Sequence, residues 1–150
     1  MSATVQVKID GLDKFTARMA RMSKAVASAK IMDSLEAGGY VIMAHAQDNI
    51  RTKLNKHPTG FLANSVKLRR EGKSVLVGPF GVVYAKIHEF GGVIKSRPGK
   101  GLRFQINGEW IIRQSVTIPA RPYMRPAVNE NMSAINAAIG DALEGLINGA

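Results

Sequence analysis

The chain has 150 residues, 45% of them hydrophobic and 21% charged, which suits one soluble globular domain with a real core and excludes wholesale disorder. It has no cysteine, which excludes a disulfide framework, a thiolate nucleophile and a zinc-thiolate site. The net charge is +10 and uneven: residues 51–125 hold fifteen Lys/Arg against three Asp/Glu, while residues 126–150 hold no Lys/Arg and three Asp/Glu. A basic excess of this size attracts polyanions, nucleic acid above all, or serves only as a solvated surface.

Val5, Val7 and Ile9 alternate with polar residues as in a short strand, ended by Gly11. Leu12, Phe15, Met19 and Met22 then follow helical spacing, with Asp13 in the first turn. No apolar run of signal-peptide or membrane-spanning length is present, so a cytosolic product and no membrane partner are expected. A long helix is predicted over about 25–50, with Ile31, Leu35, Ile42, Ala46 and Ile50 on one stripe. Gly38 and Gly39 sit inside it at a propensity cost of about 1 kcal/mol each, which close packing against a neighbour would explain.

Residues 53–58 read as a loop that turns at Pro58-Thr59-Gly60. Val66, Leu68 and Val75 to Val77 predict two strands joined around Glu71-Gly72-Lys73. A short helix is expected from Val82 to Phe90, with Val83, Ile87 and Phe90 on one side and Gly91-Gly92 ending it. Residues 93–101 show no core pattern and read as a loop. Leu102, Phe104 and Ile106 then alternate up to Asn107-Gly108, a strong hairpin signal, and the return strand is expected to continue from Trp110 to Ile118. Pro119, Pro122 and Pro126 delay the last helix, whose stripe is Val128, Met132, Ile135, Ile139, Ala142 and Leu146. The sum is an α+β fold over residues 1–150 as a single domain. A single antiparallel or mixed sheet of four to five strands would pack with a long N-terminal helix and a C-terminal helix, with an extended hairpin.

Signals for chemistry are weak. His45, His57 and His88 are far apart and match no metal-ligand spacing. His88 and Glu89 are adjacent and do not face each other as an oriented acid/base pair would. No nucleophile elbow or phosphate loop occurs, and the basic middle has only Glu71, Glu89 and Glu109 as carboxylates. No catalytic residue, cofactor or metal is therefore assigned, and an enzyme is not expected. Lys95, Arg97, Lys100 and Arg103 are four cations in nine residues among proline and glycine. They suit contact with phosphates without sequence readout, so a small basic, non-sequence-specific DNA-binding module is the alternative reading.

Four short elements occur in order: Ile9-Asp10-Gly11-Leu12-Asp13-Lys14-Phe15, Thr59-Gly60-Phe61-Leu62-Ala63-Asn64-Ser65, Tyr84-Ala85-Lys86-Ile87-His88-Glu89-Phe90-Gly91-Gly92, and Ile118-Pro119-Ala120-Arg121-Pro122-Tyr123-Met124-Arg125-Pro126-Ala127. In this the chain resembles the neck, head-tail joining and tail-completion (tail-terminator-like) proteins of tailed bacteriophages. The resemblance implies a structural virion protein, assembled in the host cytoplasm into a homo-oligomeric ring of six or twelve subunits. Its partners would be a head-closure or connector protein, the tail tube protein and genomic DNA passing through the lumen. Tyr84, His88, Glu89, Phe90, Arg121, Tyr123 and Arg125, which lie in the last two elements, are the candidate subunit interface.

Overall fold

The computed structural model describes residues 24–54 and 60–148. The first strand and helix of the sequence reading, the Gly-Leu-Asp element, His57 and Thr59 lie outside the described residues. Helix α1 (Lys24–Lys53) is followed by α2 (Phe61–Ser65) and the hairpin β1 (Val66–Glu71) with β2 (Ser74–Pro79). Next come α3 (Ala85–Phe90), β3 (Gly92–Lys95), β4 (Leu102–Ile106), β5 (Glu109–Arg113) and β6 (Ser115–Ile118). Helices α4 (Met124–Asn129) and α5 (Met132–Asn148) complete the described chain.

The α+β class is the expected one. Among the described residues the strands form three two-stranded antiparallel ladders, β1-β2, β3-β6 and β4-β5, in place of one sheet of four to five strands. The chain leaves the body through Gly91-Gly92 and returns through Pro119, so the ribbons between them pair with each other and not with β1-β2.

Helix α1 organises the core. Ile42, Ala46 and Ile50 are buried on one stripe, as the spacing predicts, and Arg51 and Lys53 in the last turn suit the negative end of the dipole. Ile31 is more exposed than that stripe implies, and Met32 is buried in its place. Eighteen residues make five full turns, so Met32 lies directly in line with Ile50.

Both adjacent glycines have a packing reason. A Cβ on Gly38 would stand 2.7 Å from Ile139 Cγ1 of α5, and one on Gly39 would stand 2.5 Å from Leu68 Cδ1 of β1. The two glycines thus let α1 approach α5 on one side and the first hairpin on another. That hairpin has a two-residue turn, Gly72-Lys73, with Gly72 at φ 59. Its inner face carries Val66, Leu68 and Val77, and at the far end Arg70 on the same face reaches Asp33 and Glu36 of α1. That fork holds the Glu36 carboxyl below the usual range and raises the Arg70 guanidinium.

Two hydrophobic clusters result. Ala46, Ile50, Leu62, Val66, Ala85 and Tyr123 centre one, and Ile42, Val128, Ile135 and Ile139 centre the other. The expected last helix is two helices. The chain breaks at Glu130-Asn131, and the Asn131 carbonyl accepts the Ile135 N–H at 2.9 Å as α5 begins. The apolar stripe runs across the break, with Val128, Ile135 and Ile139 buried and Met132 39% exposed.

Candidate assembly surface

The segments 84–92 and 118–127, distant in sequence, are bonded to each other. Glu89 is buried, and its carboxylate accepts the backbone N–H groups of Tyr123 at 2.7 Å, Met124 at 2.9 Å and Arg125 at 3.0 Å. Those donors open α4, where helical amides have no internal partner and a carboxylate is favoured. The Arg121 N–H donates to the His88 carbonyl at 2.7 Å, and the Tyr123 hydroxyl donates to the Ala85 carbonyl at 3.3 Å. From α1, Asn49 Nδ2 donates to the Tyr123 carbonyl at 3.1 Å, while Gln47 Nε2 donates to the Val66 carbonyl at 3.1 Å. Burial next to Glu89 pushes the Tyr123 phenol well above its ordinary value, so it remains a donor.

Gly91 completes this clamp. Its φ of 69 and ψ of −177 belong to a region that side chains avoid, and a Cβ there would stand 2.8 Å from the Ala120 nitrogen. The two strands of the arm therefore start from backbones in direct contact.

Residues 91–120 form that arm, and none of them is buried. Its base is β3-β6, running from Gly92↔Ile118 to Lys95↔Ser115, and its tip is β4-β5, from Leu102↔Arg113 to Ile106↔Glu109. Between Lys95 and Leu102 one strand has residues 96–101, while the other has only Gln114 between Arg113 and Ser115. Ser96 bridges this bulge: its N–H donates to the Gln114 carbonyl at 2.8 Å and its hydroxyl to Gln114 Oε1 at 2.7 Å. The tip turns at Asn107 and Gly108, both with positive φ, as the Asn-Gly pair predicts.

Two expectations change here. Residues 93–95, expected in a loop, belong to β3, because their partners in β6 are some twenty residues away and leave no local trace. The return strand, expected to run unbroken to Ile118, is divided at Gln114 into β5 and β6, which pair with different strands.

The four cations all lie on the arm and are exposed. Lys95 ends β3, Arg97 and Lys100 stand in the bulge, and Arg103 in β4 lies over the Trp110 ring at 4.4 Å. Arg113 is a fifth, and Glu109 is the single carboxylate between residues 91 and 120. Trp110 and Ile112, 61% and 64% exposed, share a face with Arg103, and a Cβ on Gly101 would collide with Ile112 Cγ2. The sequence pattern marked Trp110 and Ile112 only as strand residues. Their exposure becomes visible once β5 is seen to have no layer against that face among the described residues.

The candidate interface residues divide. Glu89 and Tyr123 are buried inside the protomer, where the bonds already described occupy them, so neither presents a surface to a neighbour; this corrects the sequence reading. Tyr84 is 40% and Phe90 48% exposed, and Arg121 and Arg125 are exposed beside them. Arg125 lies 5.9 Å from the Phe90 ring, and Tyr84 meets His88 edge-on at 5.7 Å. His88 Nδ1 is buried without a hydrogen-bond partner among the described residues, and desolvation, followed by the Arg121 charge, lowers its pKa. Val83, expected on the inner side of α3, precedes the helix and is 97% exposed.

Residues 13–91 match the family described as the bacteriophage HK97-gp10 tail component. The chain belongs to this HK97-gp10-like family. The match covers more than half of the chain, including α1, the first hairpin and α3 with its clamp carboxylate. It makes the protein a structural, virion-associated component of the phage tail, which agrees with the resemblance in the sequence and points away from an enzyme. Neither the curated proteins nor the solved structures contain a match to the chain. The matched region ends where the arm begins.

Proposed function

We propose that this tail component closes into a homo-oligomeric ring at the junction of head and tail, joining the head connector or closure protein to the tail tube. The observation that carries the reading is the arm: a hairpin with no buried residue, fixed at its base and rich in exposed apolar side chains. Apolar surface of this kind marks an interface, and an isolated two-stranded ribbon is marginal in water without something to pack against. A heterologous contact from one copy to the next, repeated by rotation, closes a ring. Six or twelve subunits, assembled in the host cytoplasm, follow from the resemblance to neck and tail-completion proteins. In that setting DNA passes through the lumen, and the clamp makes each arm a fixed spoke.

The test is genetic. A phage carrying a deletion of this gene is expected to accumulate filled heads and separate tails, with joining restored when the protein is supplied in trans. Infectious, fully joined particles made without it would contradict the proposal.

A further inference from the structure

We infer that the β4-β5 face bearing Arg103, Trp110 and Ile112 docks across the exposed face of α5 in the next copy. The inference rests on the ring reading above and names the contact that would build the ring. Within the protomer α5 turns Ile135 and Ile139 inward, and the opposite side of the helix carries Ala134, Ala137, Asp141 and Glu144. All four are exposed, and Gly140 beside them has open space where a Cβ would be. This surface is flat, because its uncharged side chains are small, and Asp141 and Glu144 form no ion pair among the described residues.

Charge and dimensions select the occupant. Between residues 91 and 120 the arm holds five Lys/Arg against one Asp/Glu, whereas residues 126–150 hold three Asp/Glu and no Lys/Arg. The two most oppositely charged regions of the chain are thus both exposed. Five paired positions along β4 span roughly 17 Å at the strand rise, which fits within the roughly 25 Å that the seventeen residues of α5 span at the helix rise. Trp110 and Ile112 supply apolar area for the small-residue surface, and Arg103, over the Trp110 ring, supplies a planar donor for the carboxylates. Among the described residues the body does not cover this arm, none of whose residues is buried. A second copy offers the complement, and the contact is heterologous, as a ring requires.

The cysteine-free chain gives a clean test. Two full-length variants, Gln105→Cys, on the same ribbon face as its cross-strand partner Trp110, and Ala137→Cys, each altered at an exposed site, are mixed in equal amounts and treated with a short bismaleimide crosslinker. An adduct between the two variants is expected, with no adduct from either variant alone. Adding Asp141→Lys and Glu144→Lys to the Ala137→Cys chain is expected to abolish that adduct and to weaken association about tenfold or more, reversal of two rim charges being involved. A Gln105→Cys adduct with itself would mean arm-on-arm pairing and would overturn the inference. So would an intact oligomer that gives no mixed adduct, in which case the ring reading survives. A protein that is monomeric at every concentration would end both readings together.

Discussion

The Glu89 carboxylate accepts a hydrogen bond from the Tyr123 backbone N–H at 2.7 Å, across 34 residues of sequence, and the next two amides of α4 donate to the same side chain. Everything between those two residues that belongs to the arm is suspended from this bond and from the Gly91–Ala120 contact. Glu89→Ala would leave three amides without their acceptor in a largely buried place and is expected to cost about 3 kcal/mol or more, because hydrogen bonds to charged groups are the strong ones. Glu89→Gln keeps one acceptor oxygen and is expected to cost less. Urea midpoints of the three proteins check this, and equal midpoints would show that the clamp is dispensable.

Gly91→Ala is expected to be among the most damaging single-methyl changes in the protein. The added Cβ meets the Ala120 backbone, which cannot swing away as a side chain can, and the residue must also hold a conformation that favours glycine. A loss of about 2 kcal/mol or more is expected, with hydrogen exchange accelerated first at the Arg121 amide, whose bond to the His88 carbonyl lies beside the contact.

At Gly38 two effects oppose each other. Alanine gains about 1 kcal/mol of helix propensity, but its Cβ would press on Ile139 Cγ1 and Cδ1 at 2.7 and 2.8 Å, in a side chain that is itself buried. Overpacking of this kind costs about 1–3 kcal/mol, so a net loss is expected. Ile139→Val removes one of the two offending carbons, and the double variant Gly38→Ala/Ile139→Val should show favourable coupling in a double-mutant cycle. Strict additivity would contradict the contact.

His88 gives the fold a pH dependence of defined sign. Its folded-state pKa is lowered, by desolvation first and by Arg121 second, and among the described residues no acceptor stands against its buried Nδ1 for the N–H that protonation would create. A histidine with a depressed folded pKa contributes stability that is present above its ordinary value near 6.5 and is lost as pH falls from there towards the folded pKa. Thermal midpoints of the wild-type protein should therefore fall between pH 7.5 and pH 5, and His88→Gln should reduce that fall. An unchanged pH profile in the variant would assign the dependence elsewhere.

The sequence was most legible where structure is local. The α1 stripe through Ile42, Ala46 and Ile50, the two hairpin turns at Gly72 and at Asn107-Gly108, and the packing reason for Gly38 and Gly39 all depend on near neighbours or on a cost visible in the residues themselves. Strand β3 was illegible because Val93 to Lys95 acquire their meaning only from Ser115 to Thr117. The break at Glu130-Asn131 was hidden because one apolar stripe continues across it. For the candidate surface, the sequence does not show that the segments around Glu89 and Tyr123 bind each other within one protomer. A carboxylate flanked by aromatic residues looks the same in sequence whether it faces a neighbour or caps a helix in its own core. Exposure of Trp110 and Ile112 was equally hidden, since alternation alone does not tell which faces of a ribbon will have a layer upon them.

Replacing residues 92–118 by a short glycine linker removes the arm and no buried residue, so the body should still fold. Native mass spectrometry of the full chain and of this armless chain, at matched concentration, is the most direct measurement. The expected result is a closed oligomer of defined subunit number for the full chain and a folded monomer for the armless one. A full chain that stays monomeric, or an armless chain that assembles just as well, would contradict the claim that the arm joins the copies of this tail protein.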